Sequence, residues 1–120
     1  MWFGFSDKIW FYHRPIDFRK QIDGLVLLVA DQLQADPTSG HLFVFRNRSG
    51  NKIKLLWWDK NGFWLIYKRL ERGRFKFPNT IDVAWNLSRN ELSWLLSGLD
   101  ITKYEELPTV TATNFYRFYC

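Results

Sequence analysis

The sequence predicts an α+β fold: an antiparallel β-meander sheet packed against two amphipathic helices in a single domain. Three observations carry this expectation. Two segments repeat apolar residues at three- and four-residue spacing, and three central runs rich in aromatic and β-branched residues are separated by turn signals. The 120 residues, 47% of them apolar, suffice to fill one core. No internal repeat, low-complexity tract or Gly/Ser linker divides the chain, so residues 1–120 read as one domain.

The elements follow in order. Ile9 to Tyr12 reads as a short strand closed by Pro15. Asp17 stands where an N-cap belongs, and Ile22, Leu25, Val26, Val29 and Leu33 recur at helical spacing, which predicts a helix from about 18 to 34 that "DPTSG" ends. Gly24 weakens that helix by roughly 1 kcal/mol relative to Ala. The runs "HLFVFRNR", "KIKLLWW" and "FWLIYKRL", broken by "SGN" and "DKNG", predict the meander. "GRFKFP" alternates again and predicts a short edge strand closed by Pro78. Ser88 with Glu91 three residues on makes a capping box. Leu92, Leu95, Leu96 and Leu99 give the following helix, 89 to 97, an apolar stripe, and Gly98 is placed to end it. After Pro108 the tail "TVTATNFYRFYC" has strand-like composition but no predicted partner.

Alternation assigns faces. In the first central run Phe43 and Phe45 share one face, while Leu42, Val44 and Arg46 share the other. In the second, Ile53, Leu55 and Trp57 oppose Lys52, Lys54, Leu56 and Trp58. With one face covered by the first helix, a partly basic, partly aromatic face is expected to remain open.

Net charge is +5, unevenly spread. Ten cations and two acids, Asp59 and Glu71, lie between Arg46 and Lys76, a net +8, whereas the rest of the chain is −3. That asymmetry is the electrostatic footprint expected of a nucleic-acid surface. Arg46, Arg48, Lys52, Lys54, Lys68, Arg69, Arg72, Arg74 and Lys76 are therefore the candidate phosphate contacts. "RNRSGNK" forms a turn able to approach a backbone, and "KRLERGR" bends at Gly73. Trp57 and Trp58 are adjacent and must point to opposite faces of a strand. Only one can be core; the other is a partner contact, a stacking surface for a base or a shield over the flanking lysine stems.

Other chemistry finds little support. Nucleophile-elbow, phosphate-loop, dinucleotide and helix-borne metal signatures are missing. Asp17, Asp23, Asp31 and Asp36 read as a helix cap and a solvated face, and His13 and His41 have no acid or nucleophile beside them in sequence. Cys120 is the single cysteine, so no internal disulfide forms, and no zinc spacing occurs. No enzyme activity, catalytic residue, metal or cofactor is expected. No apolar run approaches the roughly 20 residues of a membrane span and no signal-peptide pattern follows Met1, which leads to an expectation of a cytoplasmic protein without membrane contact.

"IDFRKQIDGL" (16–25), "DPTSGHLFVFRNRSGNKIKLLWWDKNGFWLIYKRLERGRFKFP" (36–78) and "LSRNELSWLLSGLD" (87–100) together resemble the TnpB accessory proteins of insertion-sequence family sixty-six, the products of its second open reading frame. The resemblance spans a core of about 8–101 and leaves the tail, 102–120, outside it. It implies a small non-catalytic protein that assists a separate, larger transposase in DNA transposition. The family's hairpin arginines fall on Arg46 and Arg48, its lysine before the tryptophans on Lys54, its tryptophan pair on Trp57 and Trp58, its following acid on Asp59, and its "KRLERGRF" on Lys68 to Phe75. The expected partners are DNA, at element ends or target, and the transposase. The alternative is an interaction module whose basic face docks the transposase without touching DNA. The aromatic start "MWFGF" and the end "NFYRFYC" fall outside the pattern and leave self-association open. Changing Arg46, Arg48, Arg72 and Arg74 to Glu is expected to abolish duplex binding in a titration while the circular dichroism spectrum stays native.

Overall fold

A computed structural model describes residues 8–79 and 82–98. The chain runs β1 (Ile9–Tyr12), α1 (Ile22–Gln32), β2 (Leu42–Arg46), β3 (Lys52–Asp59), β4 (Gly62–Arg69), β5 (Ala84–Leu87) and α2 (Arg89–Leu96). The five strands form one sheet in the order β4-β3-β2-β1-β5. Two helices with a five-stranded sheet make the fold α+β, but the sheet is mixed and not antiparallel throughout. β2, β3 and β4 pair antiparallel in succession, whereas β1 lies parallel to β2, with Ile9 opposite Leu42 and Phe11 opposite Val44. The cause is α1: a helix between two neighbouring strands carries the chain back to the end where it started, so both strands run the same way.

β5 is an addition to the predicted elements. "AWNL" pairs antiparallel with β1, Ile9 opposite Leu87 and Tyr12 opposite Ala84. "GRFKFP" forms no strand. It is a loop, and its alternation serves to send Phe75 and Phe77 inward: Phe75 is buried, and Phe77 stacks on Phe11 with centroids 5.4 Å apart.

Both faces of the sheet are covered. On one, Phe43, Phe45 and Leu56 pack with Leu25 and Val29 of α1 and with Tyr12 and Ile16. On the other, Phe11, Val44, Ile53, Leu55 and Trp57 pack with Leu92 and Leu95 of α2 and with Phe75. Each large side chain buried here stabilises by about 1.5–3 kcal/mol. The partly basic, partly aromatic open face expected from alternation is therefore confined to the margin along β4, where Trp64, Tyr67, Lys68 and Arg69 are exposed.

Lys54 shows what happens to a cation on such a strand. Its side chain is 1% exposed, and its Nζ donates to the carbonyls of Phe18 (2.9 Å) and Lys20 (2.7 Å). The same ammonium lies 4.9 Å from the Phe18 ring centroid and 5.5 Å from that of Tyr67. Burial lowers its pKa from the ordinary lysine value.

This contact also explains where α1 begins. A helix from residue 18 would direct the carbonyls of Phe18 and Lys20 at backbone N–H groups four residues on. The ammonium takes them instead, so the helix starts at Ile22, with Leu25 N donating to Gln21 O at 3.0 Å. Asp17 caps a preceding turn and not the helix: its carboxylate accepts from Arg19 N (2.9 Å) and from the Arg19 guanidinium, and the latter contact holds its pKa down at about 2. At the far end "DPTSG" closes on itself, Thr38 N and Oγ1 both donating to Asp36 Oδ1, and α1 stops before it at Gln32.

α2 has the expected cap. Ser88 Oγ accepts from Glu91 N at 3.0 Å, and Glu91 Oε1 accepts from Ser88 N at 3.0 Å. Gly98 follows with φ +81°, a left-handed conformation suited to glycine. Leu99, the aromatic start and the tail 102–120 lie outside the described residues.

Two substitutions test these assignments by chemical denaturation. Ser88→Ala is expected to cost about 1 kcal/mol of stability. Lys54→Met, which keeps the volume but leaves two carbonyls without the ammonium, is expected to cost about 1–3 kcal/mol.

Candidate nucleic-acid interface

The turn between β2 and β3 is built around one asparagine. Asn47 Oδ1 accepts from Gly50 N and Lys52 N, each at 3.0 Å, and Asn47 Nδ2 donates to Asn51 Oδ1 at 2.8 Å. Gly50 has φ +78° and is buried; a Cβ there would lie 3.7 Å from the Phe77 ring and 3.8 Å from Arg74 Cβ, so the loop after β4 passes directly over it. Two backbone bonds fasten the turn to that loop: Leu70 N to Asn51 O and Phe75 N to Gly50 O, both 2.8 Å. Phe75 and Phe77 then root the loop in the core. The result is a single two-loop surface at one end of the sheet.

Five of the nine predicted cations sit on this surface. Arg48, Arg72, Arg74 and Lys76 are exposed and Lys52 is half-buried. Among the described residues, no side-chain hydrogen bond or ion pair engages them.

The other four are engaged within the protein. Lys54 is interior and cannot reach a phosphate, which removes it from the predicted contacts. Arg46 is half-buried; its Nε donates to the His13 carbonyl at 3.1 Å and its guanidinium lies 5.2 Å from the Phe77 ring centroid, and burial lowers its pKa from the ordinary arginine value. Arg46 and Arg48 are thus not a matched pair, and a charge-reversal set meant to leave the fold intact must omit Arg46. Lys68 Nζ donates to Leu96 O at 2.7 Å, placing a cation at the C-terminus of α2, where the helix dipole favours it. Arg69 pairs with Glu71 at 3.0 Å on the open surface. Such an exposed pair contributes little, about 0–1 kcal/mol, and yields readily to a competing anion.

The tryptophan pair is mostly inside. Trp57 is 3% exposed and stacks on Trp64 with centroids 6.0 Å apart; Trp58 is half-buried, edge-on to Phe63 at 5.0 Å. Neither offers an open ring beside the cations. The exposed rings belong to β4: Trp64 at 55% and Tyr67 at 47%. Sequence reasoning passed over them, although alternation along "FWLIYKR" already sets Tyr67 on the same face as Arg69.

Asp59, the acid after the tryptophans, accepts from Trp64 Nε1 at 3.3 Å and stands at the opposite end of β3 from the basic surface. Among the described residues no three His, Cys, Asp or Glu side chains converge as a metal site, and no helix is long and apolar enough to cross a membrane.

Comparison with known proteins places this arrangement in a family. Residues 7–106 match the family model described as IS66 Orf2 like protein. The uncharacterized protein y4jC of Sinorhizobium fredii (strain NBRC 101917 / NGR234) is 41% identical over 101 residues, covering 84% of this chain and 86% of its own length. The uncharacterized protein y4hO of the same strain is 41% identical over 97 residues, covering 81% and 84%. No solved structure matches. The match runs from just before β1 to beyond α2 and so takes in every described element along with the basic two-loop surface: the chain belongs to the IS66 Orf2-like family of transposition-associated proteins.

Proposed function

We propose that this protein is a non-catalytic accessory factor of transposition that holds DNA, at an element end or at its target, and assists the element's separate transposase. The observation that supports the DNA contact is the set of unengaged cations, Arg48, Lys52, Arg72, Arg74 and Lys76, carried on two loops that are bonded to each other. Loops fastened in this way present charge without having to be ordered on binding, which lowers the entropic cost of association. Glu71, the acid in the second loop, is paired with Arg69 at 3.0 Å.

Phosphate contact of this kind supplies affinity through counterion release and fixes position on the duplex. Each phosphate neutralised contributes about −0.9 to the slope of log K against log salt, so five contacts give a slope of roughly −4 to −5.

The test is a titration of the purified protein into fluorescent duplexes, element end against scrambled sequence, over a range of salt. The expected slope is about −4 to −5, and Arg48→Glu, Arg72→Glu and Arg74→Glu together should cut it by about three while the melting temperature is kept. Absence of binding at low salt, or a slope the triple variant leaves unchanged, overturns the DNA reading. If the same variant then breaks a pull-down with the transposase, the basic surface is a protein dock.

A further inference from the structure

An exposed ring does stand beside the cations, but it is Tyr67. The register of β3 and β4 sets Tyr67 opposite Lys54 and Arg69 opposite Lys52, so Tyr67, Arg69 and Lys52 share the face that α1 covers elsewhere. Tyr67 and Arg69 are two residues apart on one strand, about 7 Å.

The ring is held in place from within. Phe18 meets it nearly edge-on, centroids 5.8 Å apart at 72°, and the Lys54 ammonium lies 5.5 Å from its centroid. These inward contacts leave 47% of the residue exposed. β4 is the outermost strand among the described residues, so no described strand flanks the ring on its outer side. Beyond Tyr67 the same face continues to Leu65 and a groove bordered by Arg19, Lys20, Asp23 and Gly24 at the approach to α1.

Trp64, the other exposed ring, is a poorer candidate for the same role. It lies on the opposite face against Trp57, and its indole N–H is engaged by a carboxylate, Asp59, which would repel a phosphate.

We propose that Tyr67, Lys52 and Arg69 form a site for an unpaired base of single-stranded DNA, the base stacking on the Tyr67 ring and its flanking phosphates meeting the two cations. The proposal rests on the reading that the basic end binds DNA and adds the strand state. Bases in a duplex are stacked on one another and present only their edges in the grooves, so a stacking ring adds affinity only where a strand is open. Arg69 is available because its partner Glu71 is itself exposed and gives way to a phosphate.

The experiment measures the full chain against a fluorescent single-stranded oligothymidylate and against a mixed-sequence duplex, for wild type, Tyr67→Leu and Tyr67→Phe, with melting curves for each. Tyr67→Leu should weaken single-strand binding about 5- to 150-fold while Tyr67→Phe keeps it, and duplex affinity should be the same for all three. Wild-type binding to duplex alone, or a folded Tyr67→Leu protein with unchanged single-strand affinity, or equal losses on both probes, overturns the stacking site and leaves the duplex reading standing. Failure of wild type to bind either probe overturns both. Should Tyr67→Leu not fold, photocrosslinking of an iodouracil-substituted single strand to wild type decides: adducts on Tyr67 support the site, and adducts only elsewhere overturn it.

Discussion

A cation on a buried strand must either find oxygen atoms inside or reach the rim of the sheet, because an unpaired charge in an apolar interior costs several kcal/mol. With α1 on one face and α2 and the Phe75 loop on the other, this sheet enforces that choice on every basic residue in its centre. Lys54 takes the first course, closing on two carbonyls between two rings. Arg46 takes a middle one, with a carbonyl on one side and a phenylalanine face on the other. Arg48, Lys52, Arg72, Arg74 and Lys76 lie past the strand ends or near them, where water solvates them. The division of the basic segment into interior braces and an outward surface thus follows from the double cover of the sheet.

The same division explains what could be read from sequence. Local chemistry was legible: the Ser88–Glu91 capping box, the β1 strand, and the turns between β2, β3 and β4 are each set by residues within a few positions of one another. The start of α1 was not. Asp17 carries the composition of an N-cap, but the helix is displaced by an ammonium 34 and 36 positions away in the chain, and no window of sequence contains that contact. β5 was missed because four residues, one of them Asn86, give too little pattern; it is a strand because β1 offers it an edge.

For the candidate site, charge density identified the right stretch but could not separate cations with structural roles from those left outward. Alternation through "KIKLLWW" set Lys52 and Lys54 on one face equally. Only the depth of the face, rising from the rim at Lys52 to the interior at Lys54, distinguishes them. The tryptophans divide as their adjacency required, Trp57 in the core and Trp58 half-buried, yet a large ring is a conspicuous sign of a binding surface in sequence and a common filler of cores in three dimensions. Tyr67 was inconspicuous because its significance depends on lying at the sheet's margin.

The mixed strand order bears on how the chain is assembled. β2, β3 and β4 close through connections of five and two residues, 47–51 and 60–61, so their loop entropy is small. β1 waits much longer for its second neighbour: Ile9 pairs with Leu87, a separation of 87 − 9 = 78 positions. On a ribosome the β2–β4 sheet can therefore be complete while one side of β1 is still bare. That side is shielded only after the codons for "AWNL" have been translated and the segment has cleared the exit tunnel.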